Sequence, residues 1–97
     1  MYKEKVGLVT EEDKNSILLL HERRIALKEL LMTLDNQSLS ENSKNDLYER
    51  IVSDTGKTTM VYEKWWADMA HKYNWKSVEG GNWNIDFVTN EIILVHS

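Results

Sequence analysis

Along residues 10–73 the apolar side chains recur at steps of three and four, and from Gly80 onward they recur at steps of two. That change of period limits the fold more than any motif does. A spacing near 3.6 belongs to a helix lying on a core, and a spacing of two to a strand with one covered face. The first helix is expected over residues 10–34. Thr10 offers a hydroxyl cap, and Glu11, Glu12 and Asp13 place carboxylates at the positive end of the helix dipole. Ile17, Leu20, Arg24, Leu27, Leu31 and Leu34 then form an apolar stripe, widened by Leu18, Ile25 and Met32. The polar stretch DNQSLSEN, residues 35–42, reads as a linker.

A second helix is expected over residues 43–73, beginning at Ser40 or Ser43. Leu47, Tyr48, Ile51 and Val52 open its apolar side, which resumes with Val61, Tyr62, Trp65, Trp66, Met69, Ala70 and Tyr73. Gly56 predicts a kink or break near residues 54–58, because glycine inside a helix costs about 1 kcal/mol against alanine. Asn74 suits the left-handed residue that ends a helix. The carboxy-terminal third, GGNWNIDFVTNEIILVHS, reads as a β-hairpin with strands at 82–88 and 91–96 around a Thr89-Asn90 turn. A two-residue loop pairs Val88 with Glu91, Phe87 with Ile92, Ile85 with Leu94 and Trp83 with His96. One face is then apolar throughout, while the other carries Asn84 and Asp86 beside Ile93 and Val95. Residues 2–9, YKEKVGLV, supply a third strand beside the second strand of the hairpin. The expected fold is α+β in the order β-α-α-β-β, one domain over residues 1–97. A long helical hairpin packs on a small antiparallel sheet.

A chain of 97 residues has a modest core, and without cysteine it has no disulfide framework, thiolate metal site or cysteine nucleophile. The segment MYKEKVGLV lacks the long apolar stretch of a signal peptide. The apolar runs ILLL and IILV are too short to span a bilayer, so a cytoplasmic protein with no membrane partner is expected. The formal net charge of −4 removes the usual signature of nucleic-acid binding. HERRIALK, residues 21–28, is the one stretch from which a small DNA-binding regulator could be built.

Two motif fragments meet in IVSDTGKTTM, residues 51–60. A phosphate-binding loop needs glycine where Ile51 stands, and it needs a buried strand before it. The preceding LYERIVSD is charged and helix-patterned. An aspartic-protease DTG follows an apolar strand, where this chain has Arg50 and Ser53. Asp68 and His71 share a helix face, but a di-metal bundle needs two such pairs and two further glutamates. His21 reads as a packing residue and His96 as an exposed one. Catalysis therefore has no motif behind it, a hydrolase built from Glu63, Asp68 or His71 being the residual case. No cofactor is expected.

YEKWWADMAHKYNW, residues 62–75, is the most unusual stretch in composition. The simplest reading is that its rings build the core of a small domain. Trp65 and Trp66 lie about 100° apart on a helix, so one of them is expected toward the rim, where tryptophan serves as a binding anchor. The candidate partner-binding residues are Tyr62, Trp65, Trp66, Met69, Tyr73 and Trp75, joined by Ile93 and Val95 of the sheet.

With WNIDFVTNEIILV, HERRIALKELL and DLYERIVSDTGKTTMVYEKWW, this stretch resembles the small CXXX-repeat peptide modification system proteins, over nearly the whole chain. Such proteins are encoded in bacteria beside radical-SAM maturases and short cysteine-repeat precursor peptides. The resemblance implies an accessory role in peptide modification, with the precursor peptide or the maturase as partner, and it brings no catalytic motif. The leading expectation is a non-enzymatic binding protein. A homodimer or larger scaffold built on the first helix is the alternative, ahead of the DNA-binding regulator.

Overall fold

The computed structural model describes residues 2–34 and 38–97. Met1 and the linker residues Asp35, Asn36 and Gln37 lie outside the described residues. The element order is β1 Tyr2–Leu8, α1 Glu11–Thr33, α2 Glu41–Tyr73, β2 Asn82–Asp86 and β3 Glu91–His96. This is the expected β-α-α-β-β arrangement, with a helical hairpin and a three-stranded antiparallel sheet.

Both helices start on the side chains that capping chemistry requires. The Asp13 N–H donates to Thr10 Oγ1 at 3.1 Å, and the Ser43 N–H donates to Ser40 Oγ at 3.2 Å. The second helix therefore begins two residues earlier than expected, on the first of the two serines considered. Its far end is closed by Asn74, whose N–H donates to Ala70 O at 2.9 Å from a left-handed conformation with φ 51°.

The chain forms two compact units, and the divisions fall inside the helices. One unit comprises the residues up to Leu18 with Trp65–Ser97, and the other is Leu19–Lys64. In the first unit the buried residues are Val9, Ile17, Trp65, Trp75, Ile92 and Leu94. In the second they are Leu27, Leu34, Ile51 and the hydroxyl-bearing Thr58. Arg23 braces this hairpin unit, donating from Nε to Thr58 Oγ1 at 3.2 Å and from Nη2 to Asp54 at 2.9 Å.

No break occurs at Gly56: α2 is helical without interruption through Asp54–Thr58. Ile51 and Thr58 are both buried on either side of it, and burial outweighs a glycine penalty of about 1 kcal/mol. Nothing lies within 4 Å of where a Cβ at Gly56 would stand. Gly56→Ala is expected to stabilise the protein by about 0.5–1 kcal/mol, seen as a higher midpoint in urea melts.

The strand order is β1-β3-β2, so the last strand in sequence is the central one. The hairpin register differs from the expected one by two residues. Asp86 pairs with Glu91, Ile85 with Ile92 and Trp83 with Leu94. The connection is thus the four-residue Phe87–Asn90 turn, and the first strand stops at Asp86 rather than Val88. Asp86 is the cause. Its Oδ1 accepts from the Val88 N–H at 2.8 Å and the Thr89 N–H at 3.2 Å, and its carbonyl accepts from the Asn90 N–H at 2.8 Å. Asn90 takes the left-handed conformation, φ 62°, that closes the turn. A shift of two returns every side chain to its original face, so Trp83 and Ile85 still share a face with Ile92 and Leu94.

On the other side of β3, Tyr2 pairs with His96 and Lys5 with Ile93, after which Gly7 pairs with Ile92. Val6 is the extra residue of a β-bulge in this edge strand.

Candidate functional site

The aromatic residues of YEKWWADMAHKYNW divide between the two units. Tyr62 belongs to the hairpin unit, where the Arg24 guanidinium carbon stands 4.4 Å from its ring centroid. Trp65, Trp66, Met69, Tyr73 and Trp75 belong to the sheet unit. Within it, Trp65 meets Trp66 edge to face at 4.9 Å, and Tyr73 stacks flat on Trp75 at 5.7 Å. Trp75 also meets Trp66 at 6.0 Å and Trp83 at 5.5 Å, both at steep angles. Trp65 and Trp75 are buried, so their rings are core material and not a free binding surface. Trp66, Met69 and Tyr73 are half-buried at the edge of this core.

The polar ends of these rings are tied to the start of α1. The Tyr73 hydroxyl donates to Asp13 Oδ2 at 2.6 Å, Lys72 Nζ donates to the same oxygen at 3.0 Å, and Trp65 Nε1 donates to the Asp13 carbonyl at 3.1 Å. Asp13 is the hub, and no spacing rule in the sequence connects it to residues 52 to 60 positions away. The Tyr73 hydrogen bond, helped by Lys72 and Thr10 and opposed by partial burial, holds the Asp13 carboxyl below its ordinary value of 3.8. A carboxyl lowered in the folded state stabilises the fold above its unfolded value, and that contribution disappears as pH falls through the lowered value. Melting temperature is therefore expected to fall as the solution is acidified below about pH 4. Asp13→Asn should melt lower at neutral pH and lose part of that acid dependence, as thermal melts across the acid range will show.

The remaining candidates, Ile93 and Val95, have a different setting. They lie on the face of β3 opposite the buried Ile92 and Leu94, beside Lys3, Lys5 and Asn84 on the flanking strands. Both are half-buried. A shallow cleft of about 490 Å3 runs over this face, bounded by Lys3, Asn84, Phe87, Val88, Ile93 and Val95. Every residue bounding it belongs to a strand or to the turn after β2. Phe87 and Val88 join it because the four-residue turn carries them out of the ladder, which the two-residue turn expected from sequence hid.

Asp68, His71 and Glu63 are exposed on α2, and His96 stacks at a tilt on Tyr2 at 5.6 Å. Among the described residues no group of three or more His, Asp or Glu is placed to hold a metal ion. No described helix is long and apolar enough to cross a membrane. Compared with known proteins, the chain matches no family model, no curated protein and no solved structure.

Proposed function

We propose that the chain is a non-enzymatic accessory protein that binds an extended peptide along its sheet. The observation that carries this reading is the outer face of the sheet, where Ile93 and Val95 floor a cleft bounded by sheet and turn residues alone. An incoming strand has two edges to meet. β1 is bulged at Val6 and carries Lys3 and Lys5, devices that blunt an edge against pairing. β2 is a regular five-residue strand with neither device. A peptide pairing with β2 gains main-chain hydrogen bonds and sets alternate side chains beside Asn84, at the rim of the Ile93–Val95 cleft.

The resemblance to CXXX-repeat peptide modification system proteins names the ligand class: a short cysteine-repeat precursor peptide, delivered in the bacterial cytoplasm to a radical-SAM maturase. Amide hydrogen exchange with and without a synthetic cysteine-repeat peptide tests it. Exchange across Asn82–Asp86 is expected to slow when the peptide binds. Ile93→Lys should remove that protection with little change in melting temperature, since the new side chain points away from the core. Absence of binding, or binding that leaves β2 unprotected, sinks the reading.

A further inference from the structure

The hairpin unit carries a second surface, independent of the sheet-face reading. On α1, His21, Ile25, Lys28 and Met32 follow one another at steps of four, three and four, which puts them in a single row along the helix. On α2, Tyr48, Val52, Thr55 and Thr59 do the same. Five of these eight, with Arg24 and Leu31, line a groove of about 380 Å3 along one flank of the hairpin: His21, Ile25, Lys28, Thr55 and Thr59.

Two properties of this groove are unusual for the molecule. The first is charge. Arg24 and Lys28 line it together with His21, and none of its lining residues is acidic, in a chain whose formal net charge is −4. Arg24 lies over the Tyr62 ring, and a guanidinium held by its face keeps its in-plane N–H groups for a carboxylate. The second is apolar exposure. Of the groove's own lining, Ile25 is 45% exposed and Leu31 39%, and outside it the two helix rows continue with the exposed Met32 and Val52. The α1 side brings Arg24 and Lys28 beside Ile25 and Leu31, the α2 side is uncharged, and together they offer ridges and a groove for a third helix.

We propose that this groove docks an acidic amphipathic helix of a partner protein. Its apolar side chains sit on Ile25, Leu31, Met32 and Val52, and its carboxylates reach Arg24 and Lys28. Nucleic acid fits less well, because affinity for phosphates comes from many cations and this flank has two permanent ones among apolar side chains. A second copy of this chain also fits less well. A two-fold dimer centred on the groove sets Arg24 and Lys28 against their own copies, and like charges repel across such an interface.

The test uses fluorescence anisotropy with a synthetic labelled peptide bearing leucines at helical spacing and glutamates on its flanks. The controls are the same peptide with lysine for every glutamate, and a short DNA duplex. The wild-type chain is expected to bind the glutamate peptide in preference to both. Lys28→Glu is expected to weaken that binding about tenfold and to strengthen binding of the lysine peptide. Ile25→Asp is expected to abolish both interactions. Lys28 and Ile25 are exposed, and thermal melts of each variant confirm that the fold is retained. Equal affinity for the two peptides, binding of neither, or DNA binding that Lys28→Glu abolishes overturns the proposal. So does sedimentation of a wild-type dimer that Ile25→Asp dissociates.

Discussion

Trp75→Ala is expected to remove about 3–5 kcal/mol of stability, the usual cost of deleting a large buried ring. A domain of this size has about 5–15 kcal/mol in total, so the variant stands near the edge of folding at room temperature. Trp75 is 7% exposed and touches three other rings, one stacked and two edge-on. Deleting it leaves the facing surfaces of Tyr73, Trp66 and Trp83 without partners at one point. Urea melts followed by circular dichroism measure the loss, and a midpoint within error of wild type would show that the cluster does not hold the sheet unit together. Trp75→Phe should be much milder. The indole Nε1 is buried with no hydrogen-bond partner among the described residues, so its removal relieves a cost of about 1–3 kcal/mol while most of the ring remains.

Gly7→Val is expected to be the second most damaging change. A Cβ at Gly7 stands 2.7 Å from Trp75 Cδ1 and 2.8 Å from Nε1, well inside contact distance. Neither neighbour is the free end of a flexible chain: the indole is packed on its faces and edges. Overfilling a packed core costs about 1–3 kcal/mol for alanine, and a β-branched side chain exceeds that. Because the clash involves the five-membered part of the indole, the two sites couple. Alanine at position 7 should cost less in the Trp75→Phe background than alone, and a double-mutant cycle measures the difference. Simple additivity would place the cost of the Gly7 substitution in the strand backbone instead.

Local signals were legible where one residue decides the backbone. Thr10, Ser40, Asn74 and Asn90 each take the capping or left-handed role that their chemistry suits. The β-α-α-β-β order followed from the change of period, and the amino-terminal strand pairs with β3 as its pattern suggested. Gly56 does not break the second helix, because helix propensity is a weak local term set against burial of Ile51 and Thr58. The hairpin register missed by two because an aspartate before the turn competes for the amides of Val88 and Thr89. The candidate site was legible in part. Trp65 is buried and Trp66 half-buried, the difference their adjacency on a helix suggested, although the two rings meet edge to face. Asp13, which gathers Tyr73, Lys72 and Trp65, was beyond reach, since its partners come from the far end of the second helix.

The placement of β3 between β1 and β2 also sets an order of events when the chain is made. β1 leaves the ribosome before the helices, yet its sheet partner is Glu91–His96, which is not yet made while both helices are synthesised. The helices close their hydrogen bonds locally and can form during that interval. The sheet, joining the two ends of the sequence, closes last and across the longest loop in the molecule. Until then the lysines of β1 serve a waiting strand, keeping an unpaired segment from finding another nascent chain.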